Sequence, residues 1–152
     1  MLNERQVTPE ITIAGQVSKG DIEAAHDAGF RTVINLRTED EEGVNPDEER
    51  LVEGAGLSYA AIPVSPETLD DAAVERFSQA IASEGAAPVL VHCKGGGRAG
   101  VMTLLHLAIE HGWSLDATLR YGAEHGNLAP AESSPYRAFF ESFIRRHSAG
   151  ER

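Results

Sequence analysis

Pro88-Val89-Leu90-Val91-His92-Cys93-Lys94-Gly95-Gly96-Gly97-Arg98-Ala99-Gly100-Val101 joins three kinds of local pattern in one short stretch. Its apolar run reads as a buried strand, its glycines as a tight loop, and the apolar pattern from Ala99 onward as a helix. Three successive glycines allow backbone N–H groups to turn inward without a Cβ in the way. The following helix start adds unpaired N–H groups and the positive end of a dipole. Such a loop favours an oxyanion. Cys93, the only cysteine in the chain, stands at its mouth, where the same dipoles and Arg98 favour thiolate over thiol. Each unit of pKa depression requires only about 1.4 kcal/mol.

The rest of the chain is read outward from this loop. Ile11-Thr12-Ile13 alternates as a first strand, and Ser18 caps a helix running to Ala28 with a stop at Gly29. Thr32 to Leu36 is a β-branched strand ending at Arg37. Pro46 opens a helix from Asp47 to Ala55, and Leu57 to Val64 forms another strand. Asp70 or Asp71 caps a helix whose Val74, Phe77 and Ile81 share one face. Beyond the loop, Val101 to His111 is apolar nearly all round and therefore central. Ser114 caps a helix towards Ala123, and a last helix from Ser133 or Ser134 carries Tyr136, Phe139, Phe140, Phe143 and Ile144 as core residues. Alternating strands and helices predict a single-domain α/β fold, with a mainly parallel sheet of four to five strands flanked by helices. Residues 1–152 are expected to form that domain, with about 8–147 as its structured core.

At 152 residues the chain buries a core without a disulfide or metal staple. One cysteine forbids an internal disulfide and a Cys-rich zinc site, which suits a reducing, cytoplasmic setting. No apolar run approaches the roughly 20 residues of a membrane span, and Met1 to Glu10 lacks a signal pattern. A net charge of −11 argues against nucleic-acid or anionic-membrane partners. The acidic run Glu39-Asp40-Glu41-Glu42 reads as a solvated loop. His26, His106, His111, His125 and His147 show no paired metal spacing, so structural roles are expected and no metal or cofactor is.

Ligands of open α/β sheets bind at the carboxyl ends of the strands. That edge gathers Arg37, the Pro63 to Asp71 loop and the Cys93 loop, which makes Arg37 a second candidate anion contact. Gly95, Gly97 and Gly100 satisfy a dinucleotide glycine pattern, but it comes late in the chain and Asp116 falls in a helix instead of at the next strand's end. Thiolate chemistry on a phosphate ester fits better: cysteine attacks phosphorus while loop N–H groups and an arginine fork hold the oxygens.

His92-Cys93-x-x-Gly96-x-Arg98 resembles the signature of cysteine-dependent protein tyrosine and dual-specificity phosphatases. The resemblance implies metal-independent phosphomonoester hydrolysis, with Cys93 as nucleophile and Arg98 as phosphate ligand. Those enzymes place five residues between cysteine and arginine, whereas this chain has four, and Ala99 stands where they carry Ser or Thr. A broader resemblance rests on Gly15-Gln16, Gly29 to Arg37, Ile62-Pro63-Val64, the short Cys-x4-Arg loop with Gly100, and Gly112-Trp113-Ser114-Leu115. It is to the bacterial beta-lactamase hydrolase-like proteins, a tyrosine-phosphatase-like family with the same short spacing. The phosphate loop is then Lys94, Gly95, Gly96, Gly97, Arg98 and Ala99, supported by His92.

A phosphatase of this kind needs a proton donor for the leaving group. Asp70 is the first candidate, with Glu67 and Asp71 as alternatives, and Asp70 and Asp71 have a competing reading as a helix cap and first-turn carboxylate. By alignment with related enzymes, Ser65 falls where they carry their aspartate, so aryl phosphates are the expected substrates, on a phosphorylated protein or a small phosphate ester. The short loop is also similar to that of rhodanese-type sulfurtransferases, in which cysteine carries a persulfide. A silent phosphate-binding module is the third reading.

Overall fold

The computed structural model describes residues 1–148. Its secondary structure runs β1 (Arg5–Thr8), β2 (Ile11–Ala14), α1 (Lys19–Ala25), β3 (Thr32–Asn35), α2 (Glu48–Gly54), β4 (Ser58–Ala61), α3 (Asp71–Ala82), β5 (Val89–His92), α4 (Gly97–His111), α5 (Leu115–Glu124) and α6 (Arg137–His147). The sheet order is β1-β2-β5-β3-β4. β5 lies at its centre, paired in parallel with β2 and β3, and β4 extends the parallel set. Among the described residues only the β1–β2 pair is antiparallel. The expected mainly parallel α/β sheet is therefore what forms. β1 is an addition to the expected strands, because Arg5-Gln6-Val7-Thr8 buries only Val7 and its sequence lacks an apolar rhythm.

Strand alternation sorts the core into two layers. Val89, Val91 and Cys93 join the cluster built with Phe77, Met102 and Phe140 on the α3–α6 side. Leu90 joins Val33, Ile22 and Val52 on the α1–α2 side. Being covered on both faces explains why β5 reads as a continuous apolar run. α4, buried from Ala99 through Ala108, fills the larger layer as its apolar composition predicts.

Side-chain caps set half of the described helix starts. Ser18 and Asp21 form a reciprocal capping box at α1, Asp70 caps α3 by accepting from the Ala73 N–H at 2.8 Å, and Ser114 caps α5. Several ends differ from expectation. α1 stops at Ala25 instead of reaching Ala28, and β4 ends at Ala61 instead of Val64, although the Ile62 and Val64 N–H groups still donate to the Asn35 and Leu36 carbonyls of the neighbouring chain segment at 2.9 Å. α6 starts at Arg137, not at Ser133 or Ser134. Among the described residues no helix is long and apolar enough to cross a membrane.

Candidate active site

β5 delivers Cys93 to the sheet's carboxyl edge, where backbone bonds fix it: its N–H donates to Ala14 at 3.2 Å, and Leu36 N–H donates to the His92 carbonyl at 2.9 Å. The chain then turns through Gly96, whose φ of 99° is left-handed and suits glycine. This turn aims the Gly96 N–H at Cys93 Sγ, 3.1 Å away. Gly15 lets β2's exit pass under the loop, since a Cβ there would lie 2.9 Å from the Lys94 carbonyl. α4 begins at Gly97, earlier than the expected Ala99, so Arg98 lies in its first turn. Ala99 is buried in the core and Lys94 is exposed, with its carbonyl accepting from Gln16 N–H at 3.0 Å.

Arg98 is gripped end-on by Glu41. Nη1 donates to Oε2 at 2.6 Å and Nη2 to Oε1 at 2.7 Å, while Nη1 also donates to the Val64 carbonyl at 3.0 Å. Of the guanidinium's five N–H donors these use two on Nη1 and one on Nη2. The Nε and Nη2 edge, itself a bidentate fork, is left for an anion. The Arg98 hydrogen bonds hold the Glu41 carboxyl far below its ordinary value, at about 2, and Glu41 in turn raises the Arg98 pKa. Glu41 is fixed from behind by the Thr38 N–H at 2.6 Å. The acidic run is thus not simply solvated: Glu41 is a site residue that sequence reasoning missed, because its partner is 57 positions away.

Arg37 does not join the loop. It is 5% exposed and donates through Nη2 to the Glu42 carbonyl, with Nε 3.5 Å from Glu41 Oε1. Its place is behind Glu41, shaping the turn that presents that carboxylate, which corrects the expectation of a direct anion contact. His92 is fully buried, with Nε2 2.6 Å from Glu48 Oε2.

The candidate acids separate by their partners. Asp70 is occupied as the α3 cap, and Asp71 pairs with Arg146 at 2.6 Å, which lowers its pKa. Glu67 is exposed and near enough to Tyr136 to act on its phenol electrostatically. Asp70→Ala is expected to lower stability by about 1 kcal/mol through loss of the cap. Asp70→Asn, which keeps an acceptor oxygen, should match the wild type in both Tm and turnover. A large loss of kcat in that variant, with unchanged Tm, would restore Asp70 as the acid.

Tyr136 has a second role beside the expected one. It packs against the core cluster, as half-buried Phe139 does, and at the start of α6 it also lines a cleft of about 410 Å³ with Cys93, Arg98, Val101, Leu128 and Pro130. Burial raises its phenol pKa, so the hydroxyl keeps its proton at neutral pH. Its aromatic spacing concealed this, since a stripe position at a helix start faces the cleft while Phe140, Phe143 and Ile144 further along are buried.

A thiol on the floor of a backbone-lined loop, an arginine with a free fork and this sheet order define a tyrosine-phosphatase-like domain of the cysteine-dependent class. The family model for the phosphatase-like domain of beta-lactamase hydrolase-like proteins matches residues 3–110, and the chain belongs to that family. A beta-lactamase hydrolase-like protein of Agrobacterium fabrum is 34% identical over 124 residues, covering 80% of this chain and 28% of the relative. The chain thus spans under a third of the length of the curated relatives it matches. Among solved structures, a putative phosphatase from Shewanella putrefaciens CN-32 superposes with a TM-score of 0.82 at 23% identity, covering 97% of this chain and 94% of that one. A TpbA variant of P. aeruginosa, solved in complex with pTyr, gives 0.65 at 18% identity over 99% and 85% of the two chains.

Proposed function

We propose that this domain hydrolyses phosphomonoesters, aryl phosphates above all, through a cysteinyl-phosphate intermediate. The observation that carries this reading is the Arg98 guanidinium, held by Glu41 so that its Nε and Nη2 edge is free beside Cys93. Two phosphate oxygens match that edge, and the loop N–H groups serve the third. In the first step Cys93 Sγ bonds to phosphorus as the bond from phosphorus to the leaving oxygen breaks. The leaving oxygen takes a proton, which we assign to Glu67, the candidate acid that makes no hydrogen bond or ion pair among the described residues. Water then attacks phosphorus and gives a proton back to the Glu67 carboxylate, the S–P bond breaks, and the thiolate is restored as inorganic phosphate leaves. Val101, Leu128, Pro130 and Tyr136 give the cleft an apolar wall suited to an aryl ring. The pTyr complex of the TpbA variant supports the same substrate class. A reducing, cytoplasmic compartment suits a chemistry that needs the free thiol of Cys93.

The test offers purified protein an aryl phosphate and, separately, thiosulfate with cyanide. Phosphate release that vanadate inhibits is the expected result. Thiocyanate formation instead would assign sulfur transfer. Neither activity, together with retained phosphopeptide binding, would assign a silent binding module.

A further inference from the structure

Glu48 is the only fully buried acidic residue among the described residues, at 4% exposure, and it lies in the first turn of α2, not in the loop. Its Oε2 meets His92 Nε2 at 2.6 Å, and their side chains are 5% and 0% exposed. The other ring nitrogen, Nδ1, is buried without a partner. Stability does not account for such a pair, since well-packed apolar residues of similar volume commonly serve a core as well or better. Apolar neighbours are at hand in Leu90, Val33 and Val52 of the same layer. What distinguishes the position is that His92 is the last residue of β5 and the one before Cys93.

The partners of the loop's two ends come from one segment. Between β3 and α2 the chain places Glu41 on Arg98, and at the start of α2 it places Glu48 on His92. The backbone ladder already fixes the His92 carbonyl and the Cys93 N–H. The Glu48 bond adds the remaining constraint, on rotation of the His92 ring. We propose that Glu48 is a positioning residue for Cys93: by holding the His92 ring it sets the end of β5 that presents the thiol to substrate. Alternation directs His92 towards the α1–α2 layer and Cys93 towards the α3–α6 layer, so Glu48 acts through the strand and not on the substrate.

This inference rests on the nucleophile role proposed for Cys93, and its test separates the two. The double variant His92→Leu with Glu48→Met replaces the pair by apolar side chains of similar size. It is expected to keep the wild-type Tm, while kcat for an aryl phosphate falls by at least about tenfold and KM stays within about twofold. Alkylation of Cys93 by iodoacetamide at neutral pH should slow by at least about fivefold, whereas a merely loosened site would expose the buried thiol and speed it. Glu48→Gln, whose amide oxygen still accepts from Nε2–H, should recover kcat to within about threefold of the wild type. Unchanged kcat and alkylation in the double variant, faster alkylation, failure of that variant to fold, or a glutamine variant as slow as the double variant each overturn the proposal. If the wild type releases no phosphate the phosphatase reading fails, and the alkylation rates still decide the role of Glu48.

Discussion

Cys93→Ser is expected to abolish release of phosphate from an aryl ester, lowering the rate by roughly 10⁴-fold or more. A serine hydroxyl in this position stays protonated, and among the described residues no base lies within hydrogen-bond distance of Cys93 Sγ, whose partner is the Gly96 N–H. Binding should survive, because Arg98 and the loop backbone are untouched. Equilibrium binding of a phosphotyrosine peptide to the serine variant should therefore lie within a few-fold of the wild-type KM. Initial rates on both proteins at matched concentration check the first part, and calorimetric titration checks the second. A residual rate within tenfold of wild type would place the nucleophile elsewhere.

The second large effect is expected at Glu41. Glu41→Gln removes the charge that orients Arg98, leaving the Val64 carbonyl as the guanidinium's other fixed partner. The fork then swings free, and kcat/KM for an aryl phosphate should fall by about 10 to 100-fold. A pH dependence follows with a definite sign. The folded-state value of Glu41, about 2, lies below its ordinary 4.5, so its stabilising contribution is complete above about 4.5. That contribution is lost as pH falls from about 4.5 towards 2, where the carboxylate takes up its proton. Wild-type Tm should accordingly drop more steeply across that window than the glutamine variant's. Parallel curves for the two proteins would show that the ion pair contributes no net stability, and unchanged kcat/KM would show that Arg98 needs no such partner.

Signals that act over a few residues were readable from the chain itself. β5 is legible from Val89 to His92 because a strand covered on both faces must be apolar throughout, and the Ser18 and Ser114 caps, with one at Asp70 or Asp71, are legible because capping satisfies N–H groups within three residues. The nucleophile loop was visible for the same reason, since its glycines, cysteine and arginine are contiguous. Edges were harder. β1 takes its stability from pairing with β2 and buries only Val7, so its own residues carry little pattern.

The residues around the loop were illegible for a different reason. Glu41 and Arg98 are 57 positions apart, Glu48 and His92 are 44 apart, and no periodicity links either pair. Tyr136 has the spacing of a core aromatic, and only the position of the α6 start turns it towards Cys93. Asp70 fits both an acid and a cap by sequence, and the Ala73 N–H occupies it as the cap. By itself, then, the sequence determined the sheet class, the central strand and the Cys-x4-Arg loop, because burial and backbone conformation act on neighbouring residues. Only the tertiary structure decided which carboxylates hold Arg98 and His92, where Arg37 points and what walls the cleft, because those choices depend on which distant segments the packed sheet brings within hydrogen-bond distance.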